Sequence, residues 1–199
     1  LKQLTSFTLI DKIVNKHSSR YWLIFHIVFG LTLSIFGNIF LLFLLLLFFN
    51  SIKLITSGSL QNKRLNLVYV ISYLSSWSLM SRITNMHRFR IPWEFGKYVV
   101  FFGAIYGILF LNSRKGLIGF LLFFLLVPSM FISSTGDIRW HDIVFNLLGP
   151  ITIAFAVITF KDLKISKSEF QSVLRLMLYP AVSILAFVFI KTPDLATLE

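Results

Sequence analysis

Apolar residues in this chain gather into long charge-free runs, at about 21–49, 65–81, 98–112, 116–132, 143–160 and 176–190. A helix needs about 20 residues, each rising 1.5 Å, to cross a hydrocarbon core of about 30 Å, and most of these runs are close to that length. The first is too long. As one helix it would reach about 43 Å, and the Gly37-Asn38 pair at its middle is a turn signal. Read as two helices reaching Ser18 and Ile55, it brings the expected spans to about 18–36, 38–55, 65–81, 95–112, 116–132, 143–160 and 176–190. The pattern predicts an all-α, polytopic transmembrane bundle of about seven spans, with 1–199 as a single transmembrane helical domain.

The positions of the charges support the two-helix reading and orient the bundle. With seven spans and the N-terminus inside, 13 of the 19 basic residues fall in inner segments: Lys2, Lys12, Lys16, Arg20, Lys53, Lys63, Arg64, Arg114, Lys115, Lys161, Lys164, Lys167 and Arg175. A single helix over 21–49 would split them ten against nine at best. Cytoplasmic loops carry the excess of Lys and Arg, so the expected topology is N-terminus inside, C-terminus outside.

Composition agrees with this class. Of the 199 residues 56% are hydrophobic and only 14% charged, with a mean hydropathy of +0.81, far from the mix of a soluble domain. The first 20 residues are polar and basic and lack a signal-peptide pattern. There are no cysteines, which excludes disulfides, thiolate metal sites and a cysteine nucleophile. His17, His26, His87 and His141 show no metal-ligand spacing, so no metal and no cofactor is expected, nor is a nucleic-acid partner. His26 lies within span 1, as an intramembrane functional group or as a neutral imidazole bonded to a neighbouring helix.

Several features read as architecture. Gly103 and Gly107 form a G-x-x-x-G in span 4 that admits a close helix neighbour. Pro128, Pro150 and Pro180 shape spans 5, 6 and 7. Ser166 and Glu169 form a capping box opening a short inner surface helix that runs into span 7, with lysines suited to anionic headgroups. Tyr21, Trp22, Trp93, Tyr98 and Trp140 fall near span ends, as an interfacial aromatic belt requires.

The six outer basic residues are concentrated. Arg82, Arg88, Arg90 and Lys97 belong to one loop, R-I-T-N-M-H-R-F-R-I-P-W-E-F-G-K, which goes against the usual rule. Arg88 and Arg90 alternate with Phe89 and Ile91, so an extended stretch points both guanidiniums one way, and their planar forks match phosphate oxygens. Pro92 suits the start of the next helix, whose N-terminus favours an anion. The loop is thus a candidate pyrophosphate cradle built on Arg82, Arg88 and Arg90; alternatively, Glu94 neutralises one arginine and the others bind lipid headgroups. A second outer cluster holds Asp137, Arg139, His141 and Asp142. Asp137 and His141 there are candidates to orient an acceptor hydroxyl or act as a base, against a reading in which Asp137 caps a helix and Asp142 pairs with Arg139.

The run R-F-R-I-P-W-E-F-G-K-Y-V-V-F-F-G-A-I-Y-G-I-L from Arg88, with S-S-T-G-D-I-R-W-H-D-I-V-F-N-L-L-G-P from Ser133, resembles the N-terminal half of the O-antigen ligase and polymerase family of bacterial membrane glycosyltransferases. The resemblance implies a protein of the bacterial inner membrane that takes a glycan from undecaprenyl pyrophosphate and transfers it to an acceptor hydroxyl at the outer leaflet. It implies that Arg82, Arg88 and Arg90 bind the pyrophosphate, and leaves the catalytic base unknown. Family members carry their functional histidine in a second half, so the expectation is of the N-terminal part of a longer chain, inactive alone. A small lipid-linked-sugar transporter and a non-enzymatic membrane scaffold stay open. The only charged residues within the spans are Arg20, Lys53 and Lys97, each two residues from a span end; the apolar interiors carry none, which counts against transport.

Overall fold

The computed structural model describes residues 19–56, 59–84, 95–111, 119, 121–122, 124–125 and 140–195. Regular structure among them is entirely α-helical: α1 (Ser19–Ile35), α2 (Ile39–Thr56), α3 (Leu60–Ser76), α4 (Ser78–Ile83), α5 (Phe95–Phe110), α6 (Trp140–Phe160) and α7 (Lys167–Leu195). Two of these helices, α2 and α7, are long and apolar enough to cross a membrane; α1, α5 and the 148–160 part of α6 are apolar but shorter. The chain divides into two compact units, Leu1–Phe95 with Ile165–Glu199, and Gly96–Lys164.

In the first unit the long apolar run does break in two. α1 ends at Ile35, and the Ile39, Phe40 and Leu41 amides donate to the carbonyls of Phe36, Gly37 and Asn38. The tight turn thereby satisfies its own backbone, as an apolar environment demands. α3 starts earlier than hydropathy suggests, at Leu60, because the Ser59 hydroxyl accepts the Asn62 amide as an N-cap. It breaks at Trp77 within a serine-rich stretch, where the Ser75 and Ser76 hydroxyls both donate to the Ser72 carbonyl; such back-bonding bends helices. α4 resumes beyond it, with the Ser81 amide donating to the Trp77 carbonyl.

The side-chain contacts fix the helix directions. His26 and Phe29 of α1 meet Tyr73 and Trp77 of α3 in that order, so α1 and α3 are parallel. His26 and Gly30 likewise advance against Tyr179 and Ser183 of α7, so α7 is parallel to both. α2 runs the other way: Phe43 packs on Trp77 while, farther along, the Asn66 side chain donates to the Leu54 carbonyl. One end of the unit therefore carries the Phe36–Asn38 turn, Arg82 and Lys191; the other carries Arg20, Lys53, Lys63, Arg64 and Lys167. We call these the turn end and the basic end. Arg64 and Arg82 lie 18 positions apart, about 27 Å of helix, close to the thickness of a hydrocarbon core.

Between those ends the outer surface is oily. Leu42, Leu46, Phe48 and Phe49 of α2 and Leu178, Leu185 and Phe189 of α7 are exposed, Phe189 to 83%. The hydroxyls of Thr32 and Thr56 donate to carbonyls four residues back in their own helices, so they bring no unmet polar groups to that surface.

In the second unit Phe101 of α5 stacks on Phe155 of α6, and the Thr159 hydroxyl donates to the Ala104 carbonyl at 2.9 Å. Both contacts advance together, so α5 and α6 are parallel. The approach uses small residues. Gly96, Ala104 and Gly107 are the buried positions of α5, and a Cβ on Gly119 would strike the Ala154 carbonyl and Ile158. Gly107 of the expected G-x-x-x-G lies on that buried face.

Candidate functional site

Of the pyrophosphate candidates, Arg82 lies within the described residues. It is exposed in the last turn of α4, beyond the buried Met80 and Ser81, at the turn end of the first unit. Arg88 and Arg90 lie outside the described residues, as does Glu94. Asp137 and Arg139 also lie outside them; position 141 belongs to the first turn of α6, but the His141 side chain is outside what is described. Lys97 falls in the first turn of α5. Among the described residues, then, the stretch from Arg82 to Lys97 is represented by its two helical edges. No group of His, Asp and Glu able to hold a metal occurs among the described residues.

The structure builds a polar centre elsewhere, around His26. This ring is fully buried. Nδ1 lies 2.7 Å from the Trp22 carbonyl one turn back, and Nε2 lies 2.9 Å from the Tyr73 hydroxyl on α3. A carbonyl can only accept, so Nδ1 bears a proton. In the neutral ring, the form that burial among aromatic side chains favours, Nε2 accepts from the Tyr73 hydroxyl and both nitrogens are used. Trp77 and Tyr179 stack on it with centroids 5.9 and 5.1 Å away, and Phe25 and Tyr73 meet it edge-on. The Ser183 hydroxyl donates to the backbone carbonyl of His26 at 2.8 Å, and α7 can come that close because Gly30 has no side chain: a Cβ there would overlap the Ser183 backbone. Phe29, Phe40 and Phe43 complete the shell around Trp77.

Of the two readings of His26, this geometry is that of a neutral imidazole tying three helices together. The hydrophobic pattern missed the shell, because its members come from four helices. Residual signals were the four-residue steps Trp22–His26, Tyr73–Trp77 and Tyr179–Ser183, which put each pair on one helix face. Trp22 also differs from a simple belt residue. Its indole nitrogen, like that of Trp77, is buried and has no hydrogen-bond partner among the described residues. Tyr21 is 77% exposed, as a belt position requires.

No protein-family model, curated protein or solved structure matches this chain. The likeness to O-antigen ligases and polymerases therefore rests on the quoted residues alone.

Proposed function

We propose that the chain is a multi-pass protein of the bacterial inner membrane, with seven spans, its N-terminus inside and its C-terminus outside. In this reading the loop from Arg82 to Lys97 faces outward, binds a glycan carried on undecaprenyl pyrophosphate, and serves an O-antigen-like polymerase or ligase. The observation that carries the proposal is the direction of the helices. α1, α3 and α7 are parallel and α2 opposes them, as spans 1, 3, 7 and 2 must be. α5 and α6 are parallel to each other, as spans 4 and 6 must be in this reading. The clustering of cations at the basic end, where Lys and Arg mark the inner side, supports assigning Arg82 to the outer side.

The chemistry follows from the residues of that loop. As the acceptor hydroxyl attacks the anomeric carbon, the bond to the lipid pyrophosphate breaks and negative charge gathers on its phosphate oxygens. Arg88 and Arg90, supported by Arg82, would stabilise that charge through paired N–H donors. The acceptor proton must pass to a base, for which Asp137 and His141 are the acceptor-side candidates within this chain. Replacing Arg88 and Arg90 by alanine in the native host is expected to abolish long surface polysaccharide while the protein keeps its abundance in the membrane fraction. An unchanged polysaccharide ladder would overturn the enzymatic reading and leave a membrane scaffold in its place.

A further inference from the structure

One cation of the first unit lies at a depth where a membrane helix rarely carries charge. Lys167 and Lys191 of α7 stand 12 positions either side of Tyr179, and Arg64 and Arg82 stand nine either side of Tyr73. Tyr73 and Tyr179 both meet His26, so that level is the middle of the unit. Arg175, four positions before Tyr179, is about 6 Å from it and about 9 Å inside the edge of a hydrocarbon layer about 15 Å deep on each side. Hydropathy alone places Arg175 just ahead of span 7. Arg20 is similarly deep, but it opens α1 and is exposed, so its side chain can turn to the headgroups. α7 continues about two turns beyond Arg175 toward the basic end. An arginine does not shed its charge in hydrocarbon, and an intramembrane charge is met by an opposite charge or a polar partner. Arg175 is half-buried and makes no hydrogen bond or ion pair among the described residues. At its level α1 presents Trp22, whose indole nitrogen is itself a buried donor without an acceptor among those residues. The Glu169 carboxylate of α7 is turned onto the Ser166 amide. All eight Asp and Glu residues fall outside the seven expected spans, so on that reading neither this chain nor a second copy of it brings a carboxylate to the depth of Arg175.

The side of α7 that carries Arg175 also has the spacing to take another helix. Arg175, Leu178, Val182, Leu185 and Phe189 follow one another in alternating steps of three and four, the seam of a left-handed helix pair, which is the commoner packing in membranes. Leu178, Leu185 and Phe189 are exposed, whereas Leu176, Tyr179, Ser183 and Phe187 form the buried face beside them. We propose that this seam docks a transmembrane helix of a different membrane protein, one bearing an Asp or Glu that pairs with Arg175 at hydrocarbon depth. A lipid phosphate is the poorer match, because it lies beyond the hydrocarbon edge and makes no use of a seam spaced for a helix. The proposal rests on the membrane-spanning reading but not on the polysaccharide chemistry.

The test is photocrosslinking in membranes of the native host, with p-benzoylphenylalanine in place of Leu178 in the full chain. Expected is an adduct with one other membrane protein whose crosslinked span contains Asp or Glu, falling more than about ten-fold in Arg175→Gln and retained in Arg175→Lys. The same photoprobe in place of Phe170, on the other flank of α7, should give no such adduct. Adducts with phospholipid alone, with a second copy of the chain or with a span that has no acid, or a protein adduct indifferent to Arg175→Gln, would overturn the proposal. Abundance in the membrane fraction, measured for each variant, separates loss of the contact from loss of the chain. Resistance of the protein to alkaline extraction from membranes, measured alongside, tests the spanning reading separately.

Discussion

At the scale of single residues, His26 and Gly30 join α1 to α3 and α7. Each group of the His26–Tyr73 pair is buried and has the other as its partner, so removing one strands the other. Such a stranded group costs about 1–3 kcal/mol, although hydrogen bonds within membrane bundles average nearer 0.6 kcal/mol. His26→Phe and Tyr73→Phe should each lower the unfolding free energy in a mixed-micelle titration. The double variant should lose less than the sum of the two, with a coupling of about 1 kcal/mol; strict additivity would mean that the hydrogen bond contributes nothing. Gly30→Ala puts a methyl group into the Ser183 backbone and is expected to cost about 3 kcal/mol. Gly37→Ala, which would meet nothing closer than the Leu33 carbonyl at 3.9 Å, should stay within about 0.5 kcal/mol of the native protein. The pair separates close packing from a mere taste for glycine. A bond from His26 to a neighbouring helix was one of the two readings of the sequence, but its partners were not legible, since His26 is 47 residues from Tyr73 and 157 from Ser183. Periodicity reports which face of a helix is apolar, not which distant face it meets.

At the scale of elements, local signals were far more readable. The Gly37-Asn38 pair marks the break between α1 and α2, and Ser166 with Glu169 marks the start of α7 three residues apart. There the Ser166 amide donates to the Glu169 carboxylate at 2.6 Å and the Glu169 amide donates back to the Ser166 hydroxyl at 3.3 Å, the reciprocal bonds of a capping box. The surface helix and span 7 of the sequence reading form one continuous helix of 29 residues, passing through Pro180. Its length of about 43 Å exceeds the hydrocarbon core, which is why its first turns can carry Lys167 and Glu169. Ser166→Ala should cost about 1 kcal/mol. The Ser166 hydroxyl, and then its amide, hold the Glu169 carboxyl below its ordinary value of 4.5. A lowered carboxyl pKa stabilises the folded state fully above the unfolded value and loses that effect as pH falls through the folded one. The stability gap between the native protein and Glu169→Gln is therefore expected to be constant from pH 7 to about 5 and to shrink below pH 4.5; a gap unchanged at pH 3 would contradict the cap assignment. The break at Trp77 was less legible, because hydropathy runs straight through it and only the serine-rich stretch around it hints that the helix backbone has competing partners.

At the scale of the whole molecule, the described residues are helical, with two helices long and apolar enough to cross a membrane, and an apolar surface such as that of α2 and α7 is at home only in hydrocarbon or under another protein. The candidate pyrophosphate site was read from residue types, arginines spaced for phosphate, and the described structure meets it only at Arg82 and at the start of α5. Arg88 and Arg90 lie outside the described residues, in a polar stretch that, unlike a span, no hydrophobic period constrains. What the structure adds is direction: within the first unit α1, α3 and α7 run parallel and α2 opposes them. The central claim is accordingly the sidedness of the two ends. The absence of native cysteines permits a direct measurement: single cysteines introduced as Asn38→Cys, Met86→Cys, Asn62→Cys and Ser168→Cys, labelled in intact spheroplasts with a membrane-impermeant maleimide. Asn38→Cys and Met86→Cys are expected to label from outside, while Asn62→Cys and Ser168→Cys label only after permeabilisation. Labelling of Met86→Cys and Ser168→Cys from the same side would contradict it.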